Sequence, residues 1–286
     1  MTLSMVPVGD AELCVDTAGN ERDPAVLLMG GATASMDWWE PELCERIAAA
    51  GRFVIRFDAR DTGQSTQSPA GAPTYTGEDL TTDPLRILDA LKIPAAHLVG
   101  VSMGGGIAQD LAVRFPERVL SLTLVATTAA FDRASSSPLP PPDSRLGDVG
   151  EDDDVIDDWA DHEAVVERMV DVQRVYAGSA VFDEDRVRAI ARHVVERTPD
   201  VRASVTNHWL VVGSDDADPH AMAEIDKPTL VLHGTDDPLF PLPHGEALAA
   251  EITGARLIEL EGMGHEVPPR ALWDVVVPAI VEHTGG

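Results

Sequence analysis

The stretch "HLVGVSMGGGIAQDLA", residues 97–112, sets a serine between two glycines, directly after an apolar run and directly before an amphipathic one. The pentapeptide Gly100-Val101-Ser102-Met103-Gly104 has chemical meaning only where it joins a strand to a helix. There the turn is too tight for a β-carbon at either glycine, and it lifts the serine hydroxyl to the carboxyl edge of a sheet. It also aims backbone N–H groups at the helix start toward an incoming anion. The competing reading is a small-residue turn that packs a helix close to a strand.

Working outward, apolar and β-branched runs recur along the chain: "AVLLMGG" (25–31), "RFVIRFD" (52–58), "AHLVGVS" (96–102), "VLSLTLVATT" (119–128), "PTLVLHG" (228–234) and "ARLIELEG" (255–262). Such runs read as buried strands of a parallel sheet. Between them, "MDWWEPELCERIAAAG", "TGEDLTTDPLRILDALKI" and "GGGIAQDLAVRFPERV" space their apolar residues three and four apart, as crossover helices do. The pattern predicts an α/β fold with a mostly parallel, doubly wound sheet. "MVPVGDAELCVDTAG" alternates around Gly9-Asp10 and predicts an antiparallel hairpin at the start. The rhythm breaks after Thr128, where a segment rich in proline, serine and acid gives way to helical stretches, including "HEAVVERMVDVQRVY" and "DEDRVRAIARHVVERT". The expected organisation is a core from residues 1–130 and 225–286, with a mainly helical insertion at 131–224. An insertion at strand ends is placed to cap a site there.

Bulk properties exclude several function classes. A chain of 286 residues is long enough for a substantial core, and no run of about 20 residues is free of charge, so a membrane span is not expected. The N-terminal "MTLSMVPVGDAEL" lacks a basic stretch followed by an apolar core, which makes the cytoplasm the expected location. With 21 basic against 49 acidic side chains and a net charge of −28, nucleic acid would be repelled. Cys14 and Cys44 have no metal-binding or redox spacing and read as buried thiols. "GEDDDVIDDWADHE" (150–163) concentrates acid but lacks the glycine and terminal glutamate of a calcium loop, and reads as an exposed loop and helix start. No metal site is expected.

A serine hydroxyl is a poor nucleophile without a histidine base and an acid to orient it, on loops after later strands. The chain offers both. "TDDPLFPLPHG" (235–245) puts Asp236 and Asp237 at the end of one strand run, and "MGHEVPP" (263–269) puts His265 at the end of the last. Ser, then Asp, then His is the order of a strand-edge hydrolase site. "GVSMGGG" fails the Gly-x-Gly-x-x-Gly spacing of a dinucleotide loop.

Outside the 131–224 insertion the chain resembles the α/β-hydrolase superfamily. Within it, "VPVGDAELCVDTAG", "LLMGGATAS", "FDARDTGQST", "DDPLFPLPHG" and "EGMGHEVPP" are most similar to the aclacinomycin methylesterase group of serine esterases. Proline iminopeptidase-like and haloperoxidase-like esterases are further away. The resemblance implies Ser102 as nucleophile, His265 as general base and Asp237 as orienting acid, with Asp236 capping its turn. It implies an oxyanion hole from the N–H groups of Met103 and Gly31, although Met29-Gly30-Gly31 stands where most relatives carry His-Gly. The histidine that usually braces that loop is therefore missing. Asp58 and Arg60 are expected to pair or cap beside it. Trp38, Trp39, Leu239, Phe240 and Val267 adjoin the inferred site loops as candidates for an apolar pocket, with core burial the alternative for each.

The implied activity is cofactor-free hydrolysis of a carboxylic ester, such as a methyl ester of a bulky aromatic or polyketide-like small molecule. Amide, lactone or C–C bond hydrolysis on the same residues, and a small-molecule binding protein with a weakly active triad, are the alternatives. Apolar faces of the cap fit the core and a second chain equally, which leaves the oligomeric state open.

Overall fold

Alternation along the central strands sorts their side chains into two apolar layers. In one, Ala25, Leu27, Met29, Ile55 and Leu98 face the same side of the sheet; in the other, Val26, Leu28, Val54 and Val99 face the opposite side. Strands buried on both faces are continuous apolar runs, and that is why these stretches are legible in the sequence. The structure, a computed structural model, describes residues 1–147, 156, 158–179, 182–212 and 220–285.

The hairpin is β1 (Thr2–Val8) and β2 (Ala11–Ala18), turning at Gly9 with φ +67°. There follow β3 (Ala25–Met29), α1 (Pro41–Ala49), β4 (Phe53–Phe57), α2 (Gly77–Ala90), β5 (Ala96–Val101), α3 (Met103–Arg114) and β6 (Val119–Val125). Helices α4 (His162–Tyr176), α5 (Glu184–Arg197) and α6 (Val201–Val211) come next, then β7 (Thr229–Gly234), α7 (Pro243–Glu251), β8 (Arg256–Leu260) and α8 (Trp273–His283). The eight-stranded sheet has the order β1-β2-β4-β3-β5-β6-β7-β8. β1 with β2 and β2 with β4 are antiparallel, and every other pair is parallel, so β3 through β8 end at one edge. Leu43, Cys44 and Ile47 of α1 and Trp273, Val276 and Ile280 of α8 cover one face, and α2, α3 and α7 cover the other. This is the doubly wound sheet with an N-terminal hairpin that the periodicity predicts.

The helix expected across residues 36–51 is shorter, because Pro41 fits only the first turn of α1 and a separate 3-10 turn, Met36–Trp38, precedes it. Between β6 and β7, α4 and α5 share a valine-rich cluster of Val165, Val166, Val170, Val187 and Val195. The two ends of this segment meet where Asp132 bridges Ala221. Of the acidic stretch, residues 150–155 and 157 lie outside the described residues; its end is the start of α4, where Asp161 accepts from the amides of Glu163 and Ala164. Cys14 and Cys44 are buried free thiols, pushed up to about 11 and about 12 chiefly by burial. Among the described residues, no helix is long and apolar enough to cross a membrane, and no group of three or more His, Cys, Asp or Glu could hold a metal ion.

Candidate active site

Ser102 sits between β5 and α3 with φ +51° and ψ −117°, a conformation that a non-glycine residue holds only under constraint. The constraint is backbone packing on either side. A β-carbon at Gly100 would lie 2.2 Å from the carbonyl oxygen of Gly104, and one at Gly104 would lie 2.6 Å from that of Gly30. Both motif glycines are therefore required by close approach of backbone to backbone. The Ser102 amide donates to Val125 O at 3.0 Å and Thr127 Oγ1 donates to Ser102 O at 2.8 Å. The Ser102 hydroxyl makes no cap bond to the helix it precedes, and it stands half-buried at the strand edge.

The loop after β3 packs directly against this turn. The Gly104 amide donates to Gly30 O at 3.1 Å, and a β-carbon built on Gly31 would sit 3.4 Å from Ser102 Cβ. Among the described residues, neither the Gly31 nor the Met103 amide donates a hydrogen bond. Two open donors thus flank the serine, on a loop and at a helix N-terminus.

Asp237 and His265 come from the loops after β7 and β8 at the same edge. Asp237 is 3 % exposed; its Oδ2 accepts from His265 Nδ1 at 2.9 Å, and its Oδ1 accepts from the amides of Leu239 and Phe240 at 2.9 and 2.8 Å. An Nδ1 proton donated to a carboxylate leaves Nε2 as the free nitrogen of the imidazole. The His265 amide donates to Tyr176 O at 2.8 Å at the end of α4, and Tyr176 and Phe240 flank the ring with centroids at 5.7 and 5.3 Å. That docking is glycine-dependent, since β-carbons at Gly178 and Gly264 would meet Gly262 O at 2.1 Å and Tyr176 O at 2.2 Å. Asp236 turns the other way and accepts from the Ser179 amide at 2.9 Å; hydrogen bonds from the Ser179 side chain and then its amide hold the carboxyl below the usual range. His233, buried in β7, donates from Nε2 to Phe240 O at 2.7 Å and so braces the Asp237 loop; burial pushes it down, toward the neutral form.

The remaining candidates divide. Phe240 meets His265 edge-on, and Leu239 contributes its amide to Asp237. Trp38 packs against the α4–α5 cluster, and Val267 is half-buried against the α1–α8 face. Trp39 is a correction to the pocket expectation. It is 1 % exposed and belongs to the core between α1 and α8, because the Met36–Trp38 turn directs it beneath the sheet edge.

Asp58 and Arg60 do not pair with each other. Asp58 caps the amides of Met36 and Gln64 and binds Arg197 of α5 at 2.6 Å, and burial pushes its carboxyl up. Arg60 binds Asp83 of α2 at 2.7 Å. Sequence reasoning missed two connections made by the α4–α6 segment. Arg197 joins Asp58 and Asp37. Ser204, Asn207 and His208 form a buried polar stripe on α6 against residues 60–71, and His208 Nδ1 accepts from the Thr33 amide at 2.9 Å. The i, i+3, i+4 spacing of these three polar residues was the available signal.

A family model described as alpha/beta hydrolase fold matches residues 24–269. Among characterised sequences, the chain is 33 % identical to rhodomycin D methylesterase DauP of Streptomyces sp. (strain C5), with 99 % of this chain and 98 % of the relative aligned. It is 32 % identical, over the same shares, to rhodomycin D methylesterase DnrP of Streptomyces peucetius. The solved enol-lactonase of Burkholderia xenovorans LB400 superposes with a TM-score of 0.72 at 25 % identity, covering 99 % of this chain and 100 % of that one. The strand order, the Gly-x-Ser-x-Gly turn at its centre and a family match across most of the length lead to one assignment: the chain belongs to the α/β-hydrolase family.

Proposed function

We propose that the protein is a serine hydrolase that cleaves a carboxylic ester of a small molecule through an acyl-enzyme. The observation that carries this reading is the buried Asp237–His265 hydrogen bond, at the sheet edge where Ser102 is held up on its turn. His265 Nε2 takes the proton as Ser102 Oγ attacks the ester carbonyl. The oxyanion forms toward the open amides of Met103 and Gly31. Such a donor contributes about 3 kcal/mol of transition-state stabilisation. His265 returns the proton to the departing alcohol, and water, activated in the same way, releases the acid. Asp237 keeps the imidazole in the Nδ1–H tautomer and stabilises its cation. Every step uses the chain's own side chains and amides.

Residues 131–224 serve as the cap over this edge in this reading; the His265 amide bound to Tyr176 O and Asp236 bound to Ser179 support it. The names of DauP and DnrP carry the reading one step further, to a methyl ester; a bulky substrate and a cytoplasmic setting complete the proposal. The test is a fluorophosphonate probe with the adduct located by peptide mass spectrometry, followed by a panel of methyl esters, aryl esters, lactones and proline anilides. Labelling confined to Ser102, lost in Ser102→Ala, with ester turnover is the expected result. Turnover that survives Ser102→Ala in a folded protein would overturn the reading.

A further inference from the structure

The loop carrying Gly31 contains a backbone oddity. Ala34 donates to Gly31 O at 3.3 Å, which closes a four-residue turn whose third residue, Thr33, has φ +65°. That position in such a turn ordinarily takes glycine or asparagine, and a β-branched residue there is strained. Flipping the central Ala32–Thr33 peptide would relieve it by converting one turn type into another. The N–H of that peptide is the one that His208 Nδ1 accepts at 2.9 Å.

His208 itself has no freedom. It is fully buried on α6, its Nε2 donates to Arg60 O at 2.8 Å, and its ring meets Tyr75 edge-on at 6.4 Å. Asn207 beside it is held by Asp61 at 2.7 Å and by the Gly71 amide at 2.7 Å. A ring that donates from Nε2 to a carbonyl and accepts an amide at Nδ1 is neutral, with one tautomer. On its other side the same loop is fastened to the serine turn by the Gly104 amide on Gly30 O.

We propose that His208 is a positioning residue for the oxyanion loop: as a neutral imidazole on α6 it fixes the Ala32–Thr33 peptide, and through it the Gly31 amide beside Ser102. This rests on the serine-hydrolase reading above. The role that a loop histidine would play from within the loop is thereby supplied from α6, about 175 residues away in sequence. Protonation of the ring would place an N–H at Nδ1 head-on to the Thr33 N–H and release the peptide. Burial favours the neutral form; the hydrogen bond to the Arg60 carbonyl and then the Asp61 carboxylate oppose it. The Arg60 guanidinium lies over the Tyr75 ring that meets His208.

The test compares His208→Gln, which keeps a donor for Arg60 O but offers Thr33 no acceptor, with His208→Asn, whose Oδ1 replaces Nδ1. Both are measured with an aryl ester and by hydrogen exchange of the peptide spanning residues 30–36. His208→Gln is expected to lower kcat by about 10- to 100-fold with KM within about threefold, and His208→Asn to restore kcat to within about fivefold of wild type. Exchange at 30–36 should be at least about tenfold faster in His208→Gln than in the other two. Equal exchange in all three proteins would overturn the proposal whatever the activity. So would wild-type kcat in a folded His208→Gln, or equal losses in both variants. Activity that survives Ser102→Ala would instead strike the hydrolase reading, and the exchange comparison would still decide what His208 holds.

Discussion

One carboxylate, Asp237, binds the His265 Nδ1 proton at 2.9 Å with Oδ2 and two amides of its own loop with Oδ1, while the adjacent Asp236 faces Ser179. The two neighbours should therefore differ sharply. Asp237→Asn keeps the shape but favours the wrong imidazole tautomer, and kcat is expected to fall by about 10⁴-fold. Asp236→Asn should change kcat by no more than severalfold. Steady-state kinetics on an aryl ester checks the pair, and comparable losses in both would refute the assignment.

The glycines after Ser102 make different demands. A β-carbon at Gly104 would enter the Gly30 and Met29 carbonyls at 2.6 and 2.7 Å, whereas one at Gly106 meets nothing within 4 Å. Gly104→Ala should lower stability by about 3 kcal/mol and displace the oxyanion loop. Gly106→Ala should raise stability by about 0.5–1 kcal/mol, because alanine loses less backbone freedom in a helix. Urea denaturation of both variants decides, and a destabilised Gly106→Ala would contradict the packing described.

Arg197 neutralises Asp37 and Asp58, both buried, and ties α5 to the loop after β4. Arg197→Met removes the cation and leaves two carboxylates without their partner, at a cost of about 3–5 kcal/mol. The thermal midpoint should drop accordingly. A midpoint within a degree of wild type would show that the pairs contribute nothing.

Acid should destabilise the fold through its buried histidines. His97, His208, His233 and His283 are all pushed down by burial, His97 to about 4 from an ordinary 6.5. Below about pH 6.5 the unfolded chain takes up protons that the folded one refuses, so their contribution is complete above that pH and is lost progressively as pH falls. The net charge of −28 works the other way, since acid relieves self-repulsion. Measuring urea midpoints at about 0.5 M salt, where screening acts within about 4 Å, isolates the histidines. The midpoint should be lower at pH 5.5 than at pH 7.5; a rise would count against the neutral buried rings.

What the sequence determined by itself was whatever has local periodicity or a fixed steric demand. Strands covered on both faces read as unbroken apolar runs, so the parallel sheet was visible, and so was the turn at Ser102, because Gly100 and Gly104 admit no side chain. The strand ends carrying Asp236, Asp237 and His265 followed from the same rhythm. Periodicity left Asp236 and Asp237 equivalent and the family resemblance pointed to Asp237; the contacts that turn Asp237 to His265 and Asp236 to Ser179 are tertiary, because adjacent residues on a loop point in unrelated directions until the chain ends on both sides are fixed. Only the tertiary structure moved Trp39 into the core, gave Asp58 to Arg197 instead of Arg60, and brought His208 against Thr33. The Asp58–Arg197 and Thr33–His208 contacts join residues separated by more than a hundred positions, and their geometry depends on how the β6–β7 helices dock, which no local pattern encodes.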